Sequence, residues 1–355
     1  MPKIWKNSLS VLLLVVLCTA VHSEPVKPRP NHPERYVVQR GDTLWDIAER
    51  FLINPWLWTE IWQINPGLNN PHLIYPGDEI SLVYQDGQPV LRVGRGSKSP
   101  EPVQKLEPSV RSTPLQGEPI PALPIDAIAP FLGRLRVVSK QELEEALYIV
   151  SLGKEHLIGG AGFQAYVRGG AIDPTHGSYI VYRAGKAYRD PDNGGEILGY
   201  EVQPVADALL QRPGDPAIFL LARSIKEVLP GDRLQPLTED KLDNHLFLPR
   251  APTVALLGKI IAAVDGVTQI GQHQVVVVNL GTRDGAQSGH VLAAYQHGQT
   301  VRDHYAQGGR SQKVILPDKR SGVMLVFRPF ERVSYALIMS AERALHVGDI
   351  VKNPS

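Results

Sequence analysis

The sequence predicts a multidomain α+β protein: an N-terminal βααβ module, a proline-rich linker, and a β-rich C-terminal half of two similar units. Three observations carry that reading. Residues 36–83 pass from alternating to helical apolar periodicity and back; residues 84–130 are crowded with proline; and from Phe131 onward short β-type runs alternate with Gly, Asp, Asn and Pro. A length of 355 residues suits two or three domains. The 30 prolines and 32 glycines suit linkers and turn-rich β structure.

At the N-terminus, Lys3 and Lys6 precede the apolar run Val11–Cys18, and Val21-His22-Ser23 fits a small-residue cleavage rule. This layout predicts an export signal over residues 1–23, with a cut after Ala20 as the alternative. The apolar run is too short to span a bilayer, so the mature chain is expected to carry no membrane span. Leu17 stands where a lipoprotein signal needs a small residue. The single cysteine, Cys18, leaves with the signal at either cut. A mature chain without cysteine has no disulfide, thiol nucleophile or thiolate metal site. Basic residues (37) balance acidic ones (36), so no field attracts nucleic acid.

Residues 24–35 read as a proline-rich spacer. Tyr36–Gln39 then forms a strand and Arg40-Gly41-Asp42 a turn. Thr43 is placed as an N-cap with Asp46 at the third helical position. Leu44, Ile47, Ala48 and Phe51 make one apolar helical face. Asn54 is placed to cap a second helix with Pro55 at its first position and Ile53 stapled onto Trp58. Leu57, Trp58, Ile61, Trp62 and Ile64 share its apolar face. Asn65-Pro66-Gly67 stops it, and Glu79–Leu82 closes the module after the Pro76-Gly77-Asp78 turn. Trp45, Trp58 and Trp62 read as core. Trp56 falls in helical phase with Thr59, Glu60 and Gln63, and two readings stand: an exposed partner or glycan contact, or a ring lying against Phe51.

This block resembles the LysM domain through Tyr36-Val37-Val38, Gly41-Asp42-Thr43-Leu44-Trp45-Asp46-Ile47-Ala48, Trp62, Asn65-Pro66 and Leu73-Ile74-Tyr75-Pro76-Gly77-Asp78-Glu79-Ile80. It departs in Asp78, where glutamine is commoner, and in the extra tryptophans. The resemblance implies binding of peptidoglycan, an N-acetylglucosamine-containing glycan, in a shallow groove between the turn Gly41–Leu44 and the loop Gly67–Tyr75. Gly41 would let backbone amides approach the sugar, and Asp42 and Thr43 would reach N-acetyl groups or simply cap the helix. Leu73 and Ile74 would meet acetyl methyls. Asn69, Asn70 and His72 complete the candidate contacts.

Residues 86–130 should form a mobile, partly extended tether, because so polar and proline-rich a stretch buries too little apolar surface to order itself. Beyond it, two β-rich units are expected at 131–240 and 250–355. Ser139 and Glu142 form a capping box opening a short helix. A weak repeat relates Tyr182–Lys186 to Tyr295–Gln299, and Leu229-Pro230-Gly231-Asp232-Arg233-Leu234 to His346-Val347-Gly348-Asp349-Ile350-Val351. The phrases at 121–132, Gly281–Val291 and Gly322–Leu337 resemble the type IV pilus secretin-associated protein family. That resemblance implies a periplasmic role, with the glycan module on the wall and the β-rich half at an outer-membrane secretin ring.

Catalytic signatures are missing from the sequence. No H-x-H or H-E-x-x-H occurs, and His290, His297 and His304 recur at a spacing that alternates faces in extended chain. Ser151–Lys154 mimics S-x-x-K but has no K-T-G or S-D-N companion. Gly159–Gly162 lacks the lysine of a phosphate loop. The expectation is a non-catalytic wall anchor using no metal and no cofactor. Its rivals are a general wall-bound scaffold or hydrolase regulator, and a murein hydrolase with unfamiliar catalytic residues.

Overall fold

The computed structural model describes residues 26–59, 74–94, 120–124, 127, 129, 136–153, 156–172, 175–237, 248–264, 266, 268–305 and 312–354. The expected signal peptide, the helix beyond Thr59 with Ile61, Trp62 and Ile64, and most of the linker lie outside the described residues.

In the N-terminal module, β1 (Arg35–Val37), β2 (Glu79–Gln85) and β3 (Gln88–Gly94) form an antiparallel sheet in that order, beside helix α1 (Leu44–Phe51). Strand β3 falls where the sequence was read as linker. The missed signal is Asp86-Gly87: both residues take positive φ (51° and 80°), making a two-residue hairpin turn whose twist suits the flanking strands. The proline-rich spacer is also tied down. The Arg29 N–H donates to Phe51 O (2.8 Å), the Ile53 N–H to Lys27 O (3.0 Å) and Arg29 Nε to Leu52 O (3.0 Å). The two bonds from Arg29 satisfy carbonyls that the end of α1 leaves without intrahelical donors. The second helix opens as a 3₁₀ turn, Pro55–Leu57, and Ile53 is 42 % exposed instead of stapling onto Trp58.

The β-rich half starts with β4 (Val137–Val138) and helix α2 (Lys140–Glu145), whose Ser139–Glu142 capping box is present. Strands β5 (Leu147–Ser151), β6 (Gln164–Arg168), β7 (Ser178–Arg189), β8 (Ile197–Arg212), β9 (Ala217–Ser224) and β10 (Arg233–Pro236) follow. Their antiparallel pairings run β5–β6–β9–β8–β7–β10 and return to β5, with β4 added beside β8. A second set comprises β11 (Leu257–Ala263), β12 (Val275–Val278), β13 (Val291–Gln296), β16 (Lys319–Pro329), β17 (Ser334–Ala341) and β18 (Ile350–Lys352). It closes into a barrel in the order β11–β12–β17–β16–β13–β18. Between β13 and β16 an extra hairpin pairs β14 (Thr300–Asp303) with β15 (Gln312–Ile315). With that hairpin set aside, both rings connect their strands in the same sequence: first, second, fifth, fourth, third, sixth.

One reverse turn recurs at the entries to these elements. In Gln39–Asp42, Tyr75–Asp78, Leu229–Asp232 and His346–Asp349 a glycine at the third position has φ of 98°, 99°, 91° and 100° respectively. Glycine takes that conformation without the Cβ penalty of other residues. The aspartate at the fourth position accepts the N–H of the first, at 2.8, 3.0, 2.8 and 2.9 Å. Asp232 also takes a bidentate bond from Arg183, at 2.7 and 2.8 Å.

The interior of the second barrel holds Ile260, Val276, Val278, Leu292, Met324, Val326, Ala336 and Ile338. Its outward residues are buried too, which explains why Val275–Val278 is apolar without alternation. Trp45, Trp56 and Leu57 of the N-terminal module and Tyr188 and Leu198 of the first unit share one core with Val275, Val277, Phe327 and Tyr335. The Tyr188 and Tyr335 hydroxyls meet at 3.2 Å inside it. Burial pushes the Tyr188 phenol up to about 12 and raises that of Tyr335. Around the edge, Lys259 pairs with Asp192, Arg332 pairs with Glu196, and Asn279 Nδ2 donates to Asp190 (3.2 Å). The module is thus packed on the barrel.

Two consequences for stability follow. Asp232→Ala leaves the Leu229 N–H without its acceptor and the Arg183 guanidinium with only Glu227 O (3.0 Å), and should remove about 1–3 kcal/mol in urea unfolding. Asp207→Ala, which breaks only a solvent-facing pair with Arg223, should cost less than about 1 kcal/mol. His290 is 4 % exposed, and burial, then the nearby Arg250, depress its affinity for a proton. The unfolded chain therefore binds that proton more readily, and stability should fall as pH drops through and below His290's ordinary value of 6.5. Urea midpoints across that range should show the slope, and His290→Gln should flatten it.

Candidate functional site: the groove at the start of helix α1

The turn before α1 is held by its own side chains. Asp42 accepts from Tyr36 OH (2.8 Å) and the Gln39 N–H (2.8 Å). Burial, followed by that bond to Asp42, raises the Tyr36 phenol above its ordinary range, and Arg50 lies over its ring at 4.5 Å. Thr43 Oγ1 accepts the Asp46 N–H (3.1 Å), while Asp46 accepts from the Thr43 N–H (3.1 Å) and hydroxyl (2.7 Å). Of the polar side chains expected to reach sugar, the two on this turn, Asp42 and Thr43, are thus engaged in building it. Gly41, at φ 98°, stands at an open corner where an added Cβ would meet nothing within 4 Å.

What the turn presents to the groove is backbone. The first N–H groups of a helix have no intrahelical acceptor. Thr43 takes that of Asp46, which leaves those of Leu44 and Trp45. On the opposite wall is the carbonyl of Ile74. The side chains of Leu44 and Ile74 are packed in the module's core, in a cluster that includes Ile120. Ile74 is fully buried, so its expected apolar contact with an acetyl methyl is not available in this arrangement. Asn69, Asn70, His72 and Leu73 lie outside the described residues.

The groove is occupied from within the chain. Residues 120–123 run between its two walls: the Ile120 N–H donates to Ile74 O (2.8 Å), the Leu44 N–H to Pro121 O (3.0 Å), and the Trp45 N–H to Ala122 O (3.2 Å). Ile120 is 5 % exposed and packs with the module, whereas Leu123, 1 % exposed, packs with Trp45 and Trp56. The sequence offered half of this. A capped helix start announces free donors at Leu44 and Trp45. Nothing in a proline-rich stretch announced that two of its carbonyls, those of Pro121 and Ala122, would satisfy them.

Trp56 corrects a second expectation. It is 1 % exposed, with the Arg320 guanidinium 5.9 Å from its ring centre. The assumed helical phase fails because Pro55–Leu57 is a 3₁₀ turn, which advances further per residue than an α-helix. The ring then faces the barrel and belongs to the shared core. At the other end of α1, a cleft of about 910 Å³ opens between module and barrel, lined by Arg29, Glu49, Arg50, Ile53, Arg320 and Glu342. Burial raises the Glu49 carboxyl above its usual range. Among the described residues, no three His, Cys, Asp or Glu side chains gather as a metal site would require.

Comparison with known proteins agrees with the geometry of the module. Residues 36–83 match the LysM domain, so the chain carries a LysM domain followed by a strand-rich region with a six-stranded barrel. LysM domains bind peptidoglycan and N-acetylglucosamine glycans. The chain is 40 % identical over 65 residues to SpoIVD-associated factor A of Bacillus subtilis (strain 168), covering 18 % of this chain and 16 % of that protein. It is 33 % identical over 84 residues to the spore coat assembly protein ExsA of Bacillus cereus, covering 22 % and 13 %. The uncharacterized protein YqbP of B. subtilis (strain 168) is 32 % identical over 66 residues, or 16 % and 30 %. The chain therefore spans less than a third of each of these relatives, and they are spore-related or uncharacterised, not pilus proteins.

Described residues of the three phrases on which the pilus reading rests make contacts inside the fold. Residues 120–123 fill the groove. The turn at Gly281–Ala286 donates from the Thr282 and Arg283 N–H groups to Phe330 O (2.8 Å) and Glu331 O (3.1 Å), in the turn between β16 and β17. A Cβ on Gly281 would lie 2.1 Å from Glu331 O, so only glycine permits that approach.

Trp56→Ala should lower stability by about 3–5 kcal/mol through lost burial and the cavity left between module and barrel. Urea unfolding of the parent protein and the variant measures the loss.

Proposed function

We propose that this protein is a non-catalytic anchor of the bacterial envelope. It is exported to the periplasm and holds peptidoglycan through its LysM domain. Its β-rich half stands at an outer-membrane machine, with a type IV pilus secretin as the partner that the sequence resemblance suggests. The single observation that carries the glycan half is the LysM match over 36–83, joined to a groove whose walls offer the N–H groups of Leu44 and Trp45 and the carbonyl of Ile74. Amino sugars carry acetamido groups with one acceptor and one donor, which complement those walls. Among the described residues no helix is long and apolar enough to cross a membrane.

One shallow groove of this kind binds weakly, in the range of about millimolar to micromolar, or roughly 4–8 kcal/mol. Copies arrayed around a ring would raise the holding strength by about 10²–10⁴. The anchor reading needs no chemistry at the wall, which agrees with the sequence's lack of catalytic signatures.

The test is co-sedimentation of the purified protein with isolated sacculi. Saturable pelleting, competed by soluble N-acetylglucosamine oligomers, is the expected result. If neither the parent protein nor the groove-opened variant introduced below pellets, the reading fails. Clearing on a peptidoglycan zymogram would overturn its non-catalytic part, and crosslinking in cells that never recovers secretin would overturn its partner.

A further inference from the structure

We propose that residues 120–123 are an intramolecular plug that competes with glycan for the LysM groove, so that the protein holds its own binding site in check. This rests on the glycan reading of that groove and adds its regulation.

The geometry is that of a stand-in ligand. Pro121 O and Ala122 O take the two helix-start N–H groups, and the Ile120 N–H takes the Ile74 carbonyl across the groove. These are the donors and the acceptor that an acetamido-bearing sugar chain would need. The plug is pinned at both ends by apolar anchors, Ile120 in the module's core and Leu123 in the core shared with the barrel. Pro121 and Pro124 fix their own φ and carry no N–H, so neither adds a donor to the segment. Being part of the same chain, it meets the groove without the entropy loss of a separate molecule.

Two consequences separate a plug from an ordinary structural strand. Glycan must displace the segment, so its apparent affinity is lowered by the fraction of molecules in which the groove is open. The segment also couples wall binding to the barrel, because releasing Leu123 takes one side chain out of the core that holds the module in place.

The experiment compares binding of a soluble N-acetylglucosamine oligomer, by calorimetry, to the parent protein and to Ile120→Asp/Leu123→Asp. Charges at both anchors should expel the segment, and the variant should bind about tenfold tighter or better. A synthetic peptide spanning residues 118–125 should then weaken binding to the variant. Equal affinities in parent and variant overturn the plug while leaving the glycan reading intact; no binding by either overturns the glycan reading itself. Should the variant fail to fold, hydrogen exchange on the parent protein decides. Saturating oligomer should speed exchange at the Ile120 amide, and unchanged exchange with the oligomer bound overturns the proposal.

Discussion

A helix must begin somewhere, and the amides of its first turn have no partner within it. At α1 this constraint organises the whole N-terminal end of the protein. Thr43 and Asp46 satisfy one another and the third amide, Asp42 fastens the preceding turn to Tyr36 and Gln39, and two amides are left over. A segment some 75 residues away in sequence supplies their acceptors. With that pairing go the burial of Leu123 and the closeness of module and barrel.

Much of the module was legible because local rules decide it. The capping box, the apolar face of α1 and the Gly-Asp turns are read from residues within four positions of each other. The same holds for most strands of the β-rich half, and for the repeat signalled by Gly231-Asp232 and Gly348-Asp349. Two features failed on local grounds that were available: Asp86-Gly87 marks a hairpin, and Pro55 opened a 3₁₀ turn that shifts Trp56 out of its assumed phase. The remainder depends on contacts between distant segments. Neither the groove's occupant nor the shared core around Tyr335 leaves a periodic trace, because each residue there answers to a neighbour from another unit.

The side chains expected to touch sugar illustrate the difference between a signature and a contact. Asp42 and Thr43 earn their places by shaping the turn, while the groups facing the groove are main-chain and could belong to many residue types. A sequence pattern can therefore mark a turn correctly while its side chains are already engaged in building that turn.

The order of strands in the second barrel carries a mechanical corollary. Its first strand, β11, and its last, β18, are antiparallel neighbours, Leu257 opposite Lys352, so the chain enters and leaves at one rim. Tension applied between those two ends would unzip the seam one rung at a time instead of shearing many rungs together. A load-bearing attachment would accordingly be sturdier if traction passed through the barrel's flank than through its tail.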